Sequence, residues 1–113
     1  LADDDIARML KEGFGAAEVD ASARALREAR VEAERMVLAT RSALAADGDL
    51  LSAEEREAIA ALLTSTEDIA RGDNHHAIDD AVKALADGTE AFAAMRMNRG
   101  IRAALAGRSV KDI

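Results

Sequence analysis

LLSAEEREAIAALL, residues 50–63, decides the fold. Ser52 and Glu55 stand at the spacing where a serine hydroxyl and a glutamate carboxylate each accept from the other's otherwise unpaired backbone N–H. Ile59, Leu62, Leu63, Thr66 and Ile69 follow at steps of three and four, one face of an α-helix. The spacing predicts a helix over 53–71, ended by Gly72. Upstream, Ala46-Asp47-Gly48-Asp49 reads as the end of another helix, with Gly48 free to take the left-handed conformation that closes a last turn. Downstream, Asp73 or Asn74 caps a helix over 74–97 with the apolar stripe Ile78, Val82, Leu85, Phe92 and Met95. Gly88 falls inside that helix, where glycine costs about 1 kcal/mol against alanine, so a close helix contact is expected there. Met97-Asn98-Arg99-Gly100 is the expected break before a last helix over 99–106, closed by Gly107, with 108–113 frayed.

Toward the other end, residues 16–46 contain no strong breaker, and Val19, Leu26, Ala33, Val37, Thr40 and Leu44 recur at helical spacing. They predict one helix of roughly 45 Å. Its first half is mostly Ala, Arg and Glu and is expected to project from the rest. Ahead of it, Asp3-Asp4-Asp5 complements a helix N-terminus, and Ile6, Met9, Leu10 and Phe14 share a stripe, so a short helix is expected over 3–12. Gly13 and Gly15 then allow a kink or turn. The fold class is all-α in a single subdomain over 1–113: a short first helix, a long second, and a bundle completed by three shorter helices.

Composition agrees. Of 113 residues half are apolar, but 28 of these are Ala, with two Phe and no Trp or Tyr, so close helix packing replaces bulky side chains. The absence of Pro removes the commonest helix breaker. A net charge of −7 and the lack of aromatics interleaved with Arg argue against a nucleic-acid partner. With no Cys there is no disulfide framework or thiolate metal site, compatible with a cytoplasmic location. No basic start and apolar run mark a signal peptide or membrane helix, so no membrane partner is expected. Lacking an initiator Met, the chain is expected to be a piece of a larger protein.

No catalytic, cofactor-binding or metal residue is expected. His75-His76 draws attention, but neighbours on a helix point about 100° apart, and no Cys or further His completes a site. Ser52 is used as a cap, and no other serine has a nucleophile's context. Gly13-Phe14-Gly15 lacks the strand, third glycine and lysine of a phosphate loop. Acidic pairs such as Glu54/Glu55 serve the helix dipole, and Met95 and Met97 read as bundle filler. What remains is an apolar face of Met9, Leu10, Phe14, Val19 and Leu26 that nothing in the chain obviously covers. It is the expected contact face for an absent partner, or for a homodimer of the isolated chain.

A series of stretches adds a resemblance. Leu1-Ala2-Asp3-Asp4-Asp5-Ile6, Ala17-Glu18-Val19-Asp20, Arg30-Val31-Glu32-Ala33, Leu50-Leu51-Ser52-Ala53-Glu54-Glu55-Arg56, Gly72-Asp73 with Ala77-Ile78, Phe92-Ala93-Ala94-Met95-Arg96-Met97, and Ile101-Arg102-Ala103-Ala104-Leu105 with Gly107-Arg108-Ser109-Val110 run in order along nearly the whole chain. Together they resemble the C-terminal helical lid of the heat-shock protein 70 (DnaK) family. They lean toward its HscA branch, which serves iron–sulfur cluster assembly, because the chain stops at Ile113 without the long tail of generalist members.

The resemblance implies a lid that closes over client peptide bound in a β-sandwich domain of the same chain and slows its release. Glu34 matches the position of an acidic latch, and Leu38 stands where DnaK carries a His, implying a more apolar second latch. Arg30, Val31 and Glu32 fall where family lids bend. The full-length parent is implied to be an ATPase using ATP and Mg, with the J-domain co-chaperone HscB and the scaffold IscU, bound through a Leu-Pro-Pro-Val-Lys segment, as partners. Two alternatives stand beside this: the lid of a generalist DnaK-type folding chaperone, and a self-associating helical interaction module.

Overall fold

A computed structural model describes the backbone of residues 2–112 and the side chains of residues 5–107. Among the described residues there are five α-helices and no strand: α1 Ala2–Lys11, α2 Ala16–Asp47, α3 Ala53–Ala70, α4 His75–Gly88 and α5 Glu90–Asp112. The short first helix, long second helix and bundle of three more are as the sequence predicts.

Between α1 and α2 the chain reverses on Gly13, the one described residue with positive φ, at 87°. The Phe14 N–H reaches the Met9 carbonyl (2.9 Å) and the Gly13 N–H reaches that of Leu10 (3.2 Å), the paired bonds of a Schellman stop. α1 therefore lies back along the start of α2. The Ser22 hydroxyl donates to the Asp5 carboxylate across the two helices (2.9 Å).

α2 buries Leu26, Ala29, Ala33, Val37, Thr40 and Ala43 along one side. Their small size lets α3 and α4 approach closely. Two cores result. One joins Leu26, Ala29 and Ala33 to Ile78, with Ile69, Ala70 and Val82 around them. The other joins Val37, Ala43, Leu51, Ile59, Leu63, Leu85 and Phe92. The expectation that the first half of the long helix projects is thus corrected: Leu26 is 3% exposed against α4, and the turns before it are covered by α1.

Caps act at two of the expected starts. At α3 the Glu55 N–H donates to Ser52 Oγ (3.1 Å) while the Ser52 N–H donates to Glu55 Oε1 (2.8 Å). At α4 Asn74 is the cap, its Oδ1 accepting from the Ala77 N–H (3.2 Å). Gly48 departs from expectation: it is right-handed (φ −59°, ψ −20°) and opens a 3₁₀ turn, Gly48–Leu50.

The larger departure lies in the last two helices. The expected break at residues 97–100 is absent, and α5 runs unbroken through Gly100 and Gly107 to Asp112, so the expected last helix at 99–106 is the middle of a longer one. Of the tail expected to fray, residues 108–112 have helical backbone and Ile113 lies outside the described residues. The interruption falls at Thr89, whose hydroxyl donates to the Leu85 carbonyl (2.8 Å), the back-bonding that bends helices. Gly88 just before it permits close approach, since a Cβ there would sit 2.3 Å from Leu62 Cδ1. Glycine at 100 and 107 lowers helix propensity, but no neighbouring element offers an alternative partner for the freed backbone groups there.

α5 is clamped where it crosses the end of α2. Arg96 donates to Asp47 (2.8 Å), and Arg99 donates to Asp47 (3.0 Å) and, through both terminal nitrogens, to Asp49 (2.9 and 2.6 Å). The hydrogen bonds from Arg96 and Arg99 hold the Asp47 carboxyl below its usual range, and that from Arg99 does the same for Asp49. A carboxyl depressed on folding stabilises above its unfolded pKa, about 4, and loses that contribution as pH falls through the lower folded value. The melting temperature is therefore expected to stay level from about pH 8 to 5 and to fall below about pH 4. Asp47→Asn should flatten part of that acid slope; an identical slope in the variant would remove the clamp as its origin.

Candidate functional site

The outward side of α2 carries the residues of interest. Val31 and Leu38, seven apart and so on one face, are both more than half exposed. Glu34 lies between them. Glu34 and Leu38, one turn apart, also line an open groove between α2 and α3 with Arg30, Val37, Arg41 and Glu67. Two arginines in this groove are engaged: Arg41 pairs with Glu67, and the Arg30 guanidinium donates to the Gly72 carbonyl (2.7 Å). Among the described residues Glu34 has no ion-pair partner, so its carboxylate is open to a cation from outside. Beneath the groove the buried Thr40 and Thr66 hydroxyls are satisfied by the Met36 and Leu62 carbonyls (2.8 and 2.7 Å), so it has a settled floor.

Arg30, Val31 and Glu32 sit in unbroken helix. Their neighbours Ala29 and Ala33 are buried in the core around Ile78, and Arg30 ties α2 to the α3–α4 connection. Glu32 pairs with Arg35, at 3.8 Å on the surface. A bend here must break the Arg30–Gly72 bond and part Leu26 and Ala29 from Ile78.

The apolar face proposed from sequence is partly dismantled. Leu10 and Phe14 are exposed and Met9 and Val19 half-buried, but Leu26 belongs to the core and is no part of a free surface. Its spacing announced an apolar stripe without saying what covered it. Met97, expected as bundle filler, is 67% exposed, whereas Met95 packs against the core.

His75 and His76 stack with ring centroids 4.1 Å apart, beside a cleft that α1 forms with the start of α4. Among the described residues no group of three or more His, Cys, Asp or Glu is placed to hold a metal ion. Gly13-Phe14-Gly15 forms the helix stop between α1 and α2, with φ 87° at Gly13. No helix among the described residues is long and apolar enough to cross a membrane. Sequence reading missed the Arg30 pin and the α5 clamp. The clamp left a trace, Asp47 and Asp49 at a helix end answered by Arg96 and Arg99 one turn apart; the pin left none.

Comparison with known proteins places the chain in a family. Residues 1–98 match the family model described as Hsp70 protein. The whole chain is similar to proteins named chaperone protein HscA homolog: 68% identical to that of Methylibium petroleiphilum, 61% to that of Burkholderia thailandensis and 60% to that of Cupriavidus pinatubonensis. In each case all 113 residues align, and the chain spans 18% of the relative's length.

Proposed function

The chain belongs to the Hsp70 family, and on that premise we propose that it is the helical lid of a chaperone's peptide-binding domain, closing over bound client to slow its release. The observation that carries this reading is the outward strip of α2: Val31 and Leu38 exposed, with the unpaired Glu34 between them, on a helix braced from behind by two cores. A surface of that kind suits the top of a β-sandwich with a basic residue at its rim. Glu34 is the ionic latch and Leu38 an apolar one. Arg30, Val31 and Glu32 are the hinge, held shut by the Arg30–Gly72 bond until the lid opens.

The likeness to HscA homologs extends the reading to a parent chaperone of iron–sulfur protein maturation. That parent is a cytoplasmic ATPase whose ATP and Mg bind outside this chain, with HscB as co-chaperone and IscU as scaffold partner. In the full-length protein, Glu34→Ala is expected to raise the off-rate of a bound Leu-Pro-Pro-Val-Lys peptide roughly tenfold, the loss of about 1.4 kcal/mol. Stopped-flow release of a fluorescent peptide measures it, and an unchanged off-rate removes Glu34 from the latch. The same peptide, set beside a generic apolar one, separates the two chaperone classes: selective ATPase stimulation marks the iron–sulfur specialist, and equal stimulation a generalist.

A further inference from the structure

The two ends of this molecule carry opposite charge, and each presents exposed apolar side chains. Its longest dimension is 72 Å. α1 and the start of α2 form one end. At the other, α5 leaves the bundle after Arg99, and residues 101–107 are exposed throughout. Met97, Ile101 and Leu105 follow one another by four along this free helix and are 67, 50 and 58% exposed. At 3.6 residues per turn that stripe lies about 150° around α5 from Phe92, Met95 and Arg99, which face the bundle, so no bundle surface can cover it.

Residues 94–113 hold five cations against one carboxylate; Arg96 and Arg99 are paired with Asp47 and Asp49, which leaves three cations for a partner, while residues 1–20 hold six carboxylates against two cations. The acidic end offers Leu10 and Phe14, 59 and 46% exposed, beside its charge. We propose that the Met97–Ile101–Leu105 stripe docks α1 of a second copy of this chain. Antiparallel pairing of two such molecules sets each acidic end on the partner's basic end. The contact occurs twice and closes on itself, giving a dimer and not an open chain. Charge selects the antiparallel register and the apolar stripe holds it. This association does not depend on the lid reading.

Sedimentation equilibrium of the 113-residue chain over a concentration series tests it. The expected result is a monomer–dimer equilibrium whose dissociation constant rises at least about tenfold with Ile101→Asp/Leu105→Asp, and likewise at high salt. Asp3→Lys/Asp4→Lys should weaken it similarly, since they leave residues 1–20 with four carboxylates against four cations and so no net charge to attract the basic end. Circular dichroism confirms that each variant keeps its helices. A chain that stays monomeric at every concentration overturns the proposal. So does a dimer indifferent to the α5 substitutions, or one that yields to them but ignores the neutralisation of the acidic end.

Discussion

Ile78→Ala is expected to lower the unfolding free energy by about 2–5 kcal/mol, the range for deleting a fully enclosed aliphatic side chain. Ile78 is 0% exposed and is the fully buried α4 side chain at the centre of the core that Leu26, Ala29 and Ala33 line on α2, with Val82 at its edge. Those alanines cannot swell to fill the space, so relaxation is limited and a value in the upper half is expected. Urea unfolding gives the magnitude. Hydrogen exchange gives the place: amides of residues 26–33 should lose protection first, because the second core around Leu85 is left whole. A loss below about 1 kcal/mol would mean that α2 is not held to α4 where the two cores divide.

Gly13→Ala should act quite differently. A side chain at φ 87° costs about 1–2 kcal/mol, and the Cβ meets no neighbour within 4 Å, so the penalty is conformational and not steric crowding by other residues. It falls on the α1–α2 reversal, which shares no buried cluster with the bundle. Exchange protection across Ala2–Lys11 should drop by roughly tenfold or more while the bundle's melting transition hardly moves. Unaltered protection in α1 would show that its seat on α2 does not need the Schellman stop.

These cases show how far the sequence could be read. Helix starts were legible because caps are local: Ser52 with Glu55 and Asn74 meet backbone groups three residues away. The path of α1 turned on one backbone angle at Gly13, and two nearby glycines leave either a kink or a reversal open. Gly88 reads as a close-contact glycine inside a helix and Met97–Gly100 as the break; the contact, with Leu62, is there, but the Thr89 hydroxyl puts the interruption beside it, which is a fact of rotamer. Leu26 was misjudged because period alone cannot distinguish a covered stripe from a bare one. For the candidate site, Glu34 and Leu38 came from family resemblance. Nothing in their spacing sets them apart from other surface residues, and the unpaired carboxylate emerges only once Arg30 and Arg41 are seen to be engaged elsewhere.

α2 is one uninterrupted rod of 32 residues, close to 48 Å at 1.5 Å per residue. Its front end carries α1 and its rear end the clamp on α5. A rod with a load at each end is a lever. Tilting it by about 10° about the front displaces the rear by about 8 Å, more than half the thickness of a helix. Small adjustments where α1 sits are thereby converted into large excursions of the far bundle for as long as the Arg30–Gly72 bond keeps the rod straight.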